Sequence, residues 1–314
     1  ALSAVSTLCA ALFSASAMAA DEFAFDGEDF LSDLPVVLTV TRLPQQSQNL
    51  PASVTVIDRQ MIEASGAKEI PELFRLVAGF EVGHTNILGP RATVTYHGMS
   101  DAFSRRMQVL VDGRSIYTPA TGGIDWYGLP LLMDDIERIE ITRGPNGVTY
   151  GANSFLGVIN ILTYHPNDVQ GTLVKTVSGD AGYRRNLFRH AGKQGDLGYR
   201  ISMEYQSDDG NAYFRDGATD SVKDDKVIKF ATIRADYRSG INDYLTLQLG
   251  IGDGSVGDGI AGDATQPLHE LSNTQYFSQV KWKHIISSEQ DVELQFYQNY
   301  NNSDADYFIP KLSE

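Results

Sequence analysis

The feature that most constrains this chain is a two-residue alternation of apolar and polar side chains that begins after His165-Pro166 and recurs to the end. In the stretch from Tyr199 to Gln206 the apolar set is Tyr199, Ile201, Met203 and Tyr205, while Arg200, Ser202, Glu204 and Gln206 point the other way. Leu245, Leu247, Leu249 and Ile251 repeat the pattern against Thr246, Gln248 and Gly250, and Val292, Leu294 and Phe296 repeat it against Glu293, Gln295 and Tyr297. Successive side chains of a strand face opposite sides, so each stretch is a strand with one apolar and one polar face. Polar Gly, Asp and Asn clusters separate them, and alternation with turn signals predicts about seven strands between Gly171 and Asp304. Two architectures use such strands. A soluble antiparallel sandwich buries the apolar face in a core; a transmembrane barrel turns it to lipid and keeps a wet lumen. Tyr199, Tyr205, Tyr237, Tyr244, Tyr276 and Tyr300 lie near strand ends, like the aromatic girdles of a barrel. An edge left open in lipid strands a row of unpaired N–H and C=O groups, so seven strands are expected to be only the first part of such a barrel. The ending Pro310-Lys-Leu-Ser-Glu314 lacks a terminal aromatic, in keeping with an incomplete barrel.

The part before these strands is different. Residues 1–20 carry no charge, end in small residues and meet Asp21-Glu22 abruptly, the pattern of a secretory signal peptide. Residues 21–41 read as an acidic leader followed by the isolated apolar run Leu34-Pro-Val-Val-Leu-Thr-Val40, which suits either a first strand or a segment that adds itself to a partner's sheet edge. Residues 42–165 mix helix and strand signals. Ser53–Ile57 alternates as a strand, Asp58 is placed to cap a helix over Arg59–Ser65, and Gly66 closes it. Ile70, Leu73, Phe74 and Val77 make a helical stripe, predicting a second helix over Glu69–Val77 with Gly79 as its stop. Ala92–Tyr96, Met107–Val111, Ile136–Arg143 and Val158–Thr163 read as strands, giving a small α+β domain ahead of the antiparallel ones.

Several functions are disfavoured. With 25 Lys and Arg against 40 Asp and Glu, a net charge of −15, the chain would repel nucleic acid. The single cysteine, Cys9, lies in the segment read as a signal peptide, so neither a disulfide nor a thiolate metal site is expected. No Gly-x-Ser-x-Gly, His-Glu-x-x-His or Gly-x-x-x-x-Gly-Lys run marks an enzyme, and no cofactor is expected. Asp253, Asp258 and Asp263 lack the EF-hand spacing and its closing Glu, so the Gly-rich stretch Gly250–Asp263 reads as a flexible barrel loop.

One run carries a specific resemblance. Asp135-Ile-Glu-Arg-Ile-Glu-Ile-Thr-Arg-Gly-Pro-Asn-Gly-Val-Thr-Tyr-Gly-Ala-Asn-Ser-Phe-Leu-Gly-Val-Ile-Asn-Ile-Leu-Thr163 resembles the end of the plug domain in TonB-dependent receptors. Ala52–Ile57, Ile70–Phe80 and Val109–Gly113 match the same domain in the same order. The resemblance implies an α+β plug domain over 42–165 followed, over 166–314, by the first strands of an antiparallel transmembrane β-barrel in an outer membrane, with outer-membrane lipid around it. It implies active import of a scarce ligand, most readily a ferric siderophore, driven by TonB; haem and cobalamin are alternatives, as is a non-transporting adhesin or phage-binding barrel. Leu34, Pro35, Val36, Val37, Leu38, Thr39 and Val40 would form the TonB box, with Pro35 removing one strand donor. Three plug loops, Gly83–Arg91, Met99–Arg106 and Tyr117–Trp126, would face outward and offer His84, Asn86, Arg105, Arg106, Tyr117 and Trp126 to the ligand. Arg143 matches an arginine that ties plug to barrel. His97 stands where a second such arginine is usual and would make that contact only when protonated.

Overall fold

The computed structural model describes residues 36–37, 45–46, 52–85, 91–99, 105–118, 121–151, 153–210, 224–259, 267–287 and 290–305. Two short strands come first, β1 (Val36–Val37) and β2 (Gln45–Gln46), paired antiparallel. The α+β domain follows. β3 (Ser53–Ile57) leads into α1 (Arg59–Ala64), whose first turn is capped as expected: the Asp58 carboxylate accepts from the Met61 N–H at 2.8 Å.

The second helix is shorter than the periodicity predicted. α2 (Ile70–Leu73) gives way to a 3-10 turn over Phe74–Leu76, and Val77 is already extended. Ile70, Leu73, Phe74 and Val77 are all buried, so the stripe was read correctly as a core face. A 3-10 turn keeps residues three apart on one side, and the chain must straighten at Val77 to enter β4 (Phe80–Thr85). That strand pairs with β5 (Arg91–Tyr96). The ends of the expected outward loop at Gly83–Arg91 are therefore paired strand, with His84 opposite Ala92, and residues 86–90 lie outside the described residues.

The remaining strands are β6 (Met107–Val111), β7 (Arg114–Ser115), β8 (Ile136–Arg143) and β9 (Gly157–Thr163), with α3 (Gly147–Tyr150) between the last two. They form one sheet with β3 in the order β3-β8-β9-β6-β7, antiparallel except for the parallel pair β6–β9. Ile139, Ile141, Ile159 and Ile161 are buried at its centre against Ile57, Ile62, Leu73 and Phe74. Burial on both faces explains why these central strands read as nearly continuous apolar runs.

After a 3-10 turn over Pro166–Val169 come seven antiparallel strands: β10 (Gly171–Ser178), β11 (Arg184–Gln194), β12 (Leu197–Asp208), β13 (Lys226–Ser239), β14 (Asp243–Asp258), β15 (His269–Ile285) and β16 (Asp291–Ala305). Each pairs with the next in a single meander that, among the described residues, does not close on itself. Its burial is inverted relative to a soluble sheet. On β12, Arg200, Ser202, Glu204 and Gln206 are 4%, 0%, 7% and 5% exposed, whereas Met203 and Tyr205 are 50% and 41% exposed. Leu245, Leu247, Leu249 and Ile251 on β14 and Leu294 and Phe296 on β16 also lie on the exposed face. A sandwich would do the reverse; a lipid-facing wall with a polar inner side does this.

The Gly250–Asp263 stretch differs from the loop expected. As far as Asp258 it is strand β14. Gly250, Gly252 and Gly254 sit at alternate positions of that strand, and a Cβ on Gly252 would lie 2.4 Å from the Gly128 carbonyl of the α+β domain. Gly252 lets the domain's backbone approach the wall, whereas a Cβ on Gly250 would meet the Phe277 ring of β15 and one on Gly254 the Val227 carbonyl of β13, so none of the three is there to make a turn.

Candidate functional site: the seam between domain and wall

The α+β domain is held against the polar face of the seven strands, chiefly by hydrogen bonds and ion pairs. One register row crosses four strands: Arg200 on β12 pairs with Arg234 on β13, Arg234 with Gln248 on β14, and Gln248 with Gln279 on β15. All four are buried. Each reaches the domain. Arg200 Nη1 donates to the Tyr164 carbonyl at 2.5 Å, and Arg234 Nη1 donates to the carbonyl and hydroxyl oxygens of Thr163 at 3.1 and 3.0 Å. Gln248 Nε2 donates to an Asp112 carboxylate oxygen and Gln279 Nε2 to the Asp112 carbonyl, both at 3.0 Å.

Asp112 is placed for this by the β6–β7 turn, in which Asp112 and Gly113 both have positive φ, +49° and +83°. Its carboxylate also accepts from the Thr163 N–H at 2.9 Å and hydroxyl at 2.7 Å. Burial pushes its pKa upward, but the Arg234 guanidinium and the bonds from Thr163 and Gln248 outweigh this and hold the carboxyl below its usual range. One residue beyond the turn, Arg114 stacks 3.7 Å above the Phe277 ring and donates to Asn299 at 2.6 Å. Its burial lowers the guanidinium pKa to about 10.

A second cluster centres on the 3-10 turn Met133–Asp135. Asp134 meets Arg185 at 2.6 Å, Lys175 at 3.0 Å and Arg59 at 3.5 Å; Asp135 meets Arg189 and Arg200, each at 3.5 Å. Burial opposes ionisation of Asp134, but Arg185 and Lys175 prevail and its carboxyl lies below the usual range. Elsewhere along the seam, Lys226 bridges Glu69 of the domain and Asp208 of the wall, and Asn273 bonds Asp125.

The residues singled out from sequence fall in several places. Val36 and Val37 form β1; Leu34, Pro35, Leu38, Thr39 and Val40 lie outside the described residues, as does Asn86. Arg105 and Arg106 are exposed, Arg106 donating to the Met99 carbonyl at 3.2 Å, and the Arg105 stem runs beside Gly122. The described ends of these two loops therefore meet at Arg105 and Gly122. Tyr117 is half-buried and lines a cavity with Pro130, Tyr276, Asn299 and Tyr300. Trp126 is 8% exposed with its ring 5.6 Å from Phe74, a core contact that leaves little indole for a ligand. His97 has φ +53°, donates its N–H to the Gly79 carbonyl at 2.8 Å and packs on Tyr96, all within the domain. Arg143 ends β8 opposite Ser53 and Gly157, and its Nε has no hydrogen-bond partner among the described residues. The acids that join domain to wall, Asp112, Asp134 and Asp135, were not singled out as such. Their signal was present in the Val-Asp-Gly turn and the tandem acids before β8, beside arginines on the polar face of the alternating strands. Among the described residues no group of three His, Cys, Asp or Glu side chains is placed to hold a metal.

Comparison with known proteins agrees with this construction. Residues 46–158 match the family model of the TonB-dependent Receptor Plug Domain. The vitamin B12 transporter BtuB of Vibrio cholerae is 33% identical over 176 residues, covering 56% of this chain and 28% of that protein. An iron-regulated outer membrane virulence protein of V. cholerae is 28% identical over 320 residues, covering 93% of this chain and 45% of its own. Among solved structures, the ferripyoverdine receptor of Pseudomonas aeruginosa bound to ferripyoverdine superposes with a TM-score of 0.68 at 17% identity, covering 86% of this chain and 37% of that one. The ferric yersiniabactin uptake receptor FyuA of Yersinia pestis gives 0.64 at 17%, covering 80% and 41%. The chain thus spans less than half the length of these relatives.

Proposed function

The chain belongs to the TonB-dependent receptors of the outer membrane, with their plug and adjoining barrel strands, and from that premise we propose that it serves the energised import of a scarce ligand. The family is one of transport receptors, not enzymes. The observation that carries the proposal is the nature of the seam. A domain meant to stay in place would bury an apolar face against the wall, whereas this plug is held by carboxylates, guanidiniums and amides. Such bonds can be exchanged for water when the plug moves, without exposing a large apolar surface.

In this reading Leu34–Val40 is the TonB box, and TonB pulls on it by strand addition from the periplasm. Arg105, Arg106 and Tyr117, on loops that meet, contact the ligand on the outer side; His84 and Asn86 join them from the β4–β5 hairpin, and Trp126 supports them from the core. Arg143, whose Nε has no partner among the described residues, is the plug residue proposed to contact the barrel, whereas His97, packed within the domain, serves as a structural residue. A ferric siderophore is the proposed ligand, supported by the iron-regulated relative that matches along 93% of the chain and by siderophore receptors among the folds it resembles. The 33% identity with a vitamin B12 transporter favours cobalamin as the second reading.

The test is uptake of labelled ferric siderophore, haem and cobalamin by cells expressing the whole gene, with and without residues 34–40. Import of one ligand that stops on deletion while surface binding persists is the expected result. Uptake or function indifferent to the deletion would make the protein a passive receptor or adhesin instead.

A further inference from the structure

The inner wall carries more positive charge than it neutralises itself. Four successive inward rows on β10–β12 bear a cation: Arg185 opposite Gln206, Lys175 in the row of Leu187 and Glu204, Arg189 opposite Ser202, and Arg200 opposite Ala191. Rows are two residues apart, so the stripe descends the wall in steps of about 7 Å and extends about 20 Å. Arg185 has a wall partner, Glu204, at 2.6 Å. Lys175, Arg189 and Arg200 have none among the described residues; their acid partners are Asp134 and Asp135 of the plug.

The hold on Asp135 is loose. Both of its ion-pair contacts are 3.5 Å, and Asp135 Oδ2 and Arg200 Nε are buried without a hydrogen-bond partner. Buried charges met this way form a half-satisfied network, ready to exchange one anion for another that fits better.

We propose that the β10–β12 stripe is an anion-binding track, occupied at rest by the Asp134–Asp135 turn and taken over by an anionic ligand, such as a carboxylate-bearing chelate, when the plug turn leaves. The plug's acids stand in for the cargo. Inward Lys and Arg side chains select anions in a water-filled passage, and three of them freed together give the path its sign. The inference rests on the import reading above and adds the charge of the cargo to it.

The receptor expressed from its whole gene, reconstituted in planar bilayers with the plug loosened by urea, tests this through the zero-current potential across a potassium chloride gradient. The opened pore should prefer chloride over potassium several-fold. Substituting Lys175→Gln, Arg189→Gln and Arg200→Gln together should abolish the preference, and the charge-conserving set Lys175→Arg, Arg189→Lys and Arg200→Lys should retain it. On the unmodified receptor, citrate should block the current and spermidine should not, a measurement that needs no variant to fold. A potassium-preferring pore, block by spermidine alone, or an unchanged preference in the neutral set would overturn the track. A plug that opens no pore at all would sink the passage itself and the import reading with it, an outcome distinct from a pore of the wrong sign.

Discussion

Asp134 meets three cations, and its isolation from water makes them matter. A buried carboxylate whose partners are present is neither strongly stabilising nor costly, but deleting it leaves Arg185 and Lys175 facing an emptied site. Asp134→Ala is expected to weaken plug docking by about 3–5 kcal/mol, as the breaking of a buried pair does. Thermal unfolding followed with proteolysis of the plug would show it, and a change within error would mean that the wall relaxes around the loss. The same acids set a pH dependence. The carboxyls of Asp112 and Asp134 lie below their usual 3.8 in the folded protein, so their contribution is complete above 3.8 and is lost as pH falls through the lowered folded values. Melting temperature should drop steeply below about pH 3.8, and Asp112→Asn should flatten that acid limb.

Among the strands, β14 shows how one element serves two surfaces. Its outward side is Leu245, Leu247, Leu249 and Ile251, while its inward side carries Gln248, which bonds the plug, and Gly252, which admits it. Gly252→Ala would put a methyl group 2.4 Å from the Gly128 carbonyl, so either the plug or the strand must shift. A loss of about 1–3 kcal/mol is expected from such overpacking. Gly254→Ala, whose new methyl would be 3.3 Å from the nearest atom, should cost less. Hydrogen exchange of the plug backbone in the two variants would separate them, and equal protection would show that Gly252 is not a point of contact. The element scale is also where sequence reading was least secure. The stripe Ile70, Leu73, Phe74 and Val77 gave a correct core face but the wrong helix length, because a 3-10 turn and an α-helix both group residues three apart and the need to enter β4 at Phe80 is not local.

Across the whole molecule the wall separates lipid from plug, and the two faces tolerate opposite substitutions. Leu249→Arg places a charge on the lipid-facing side next to Gln248, which faces the plug. A penalty of about 2–4 kcal/mol is expected if Leu249 sits near the midplane. The variant should accumulate unassembled, as judged by heat-modifiable migration of the outer-membrane fraction. Normal assembly would mean that this face of β14 lies outside the hydrocarbon. By itself the amino-acid order determined the local facts: seven strands with two unlike faces, five strands and the first helix of the plug though not β4 or β7, the Asp58 cap, and the run from Asp135 to Thr163 that resembles a plug. All of these are carried by residues a few positions apart. Which face of the wall is buried, and by what, was decided only in the tertiary structure. Alternation has the same period in a sandwich and a barrel, and the partners that settle it are far apart in the chain, Asp112 with Gln248 and Asp134 with Arg185. A polar contact across such a distance has no sequence period, because it exists only once the plug has been set against the wall.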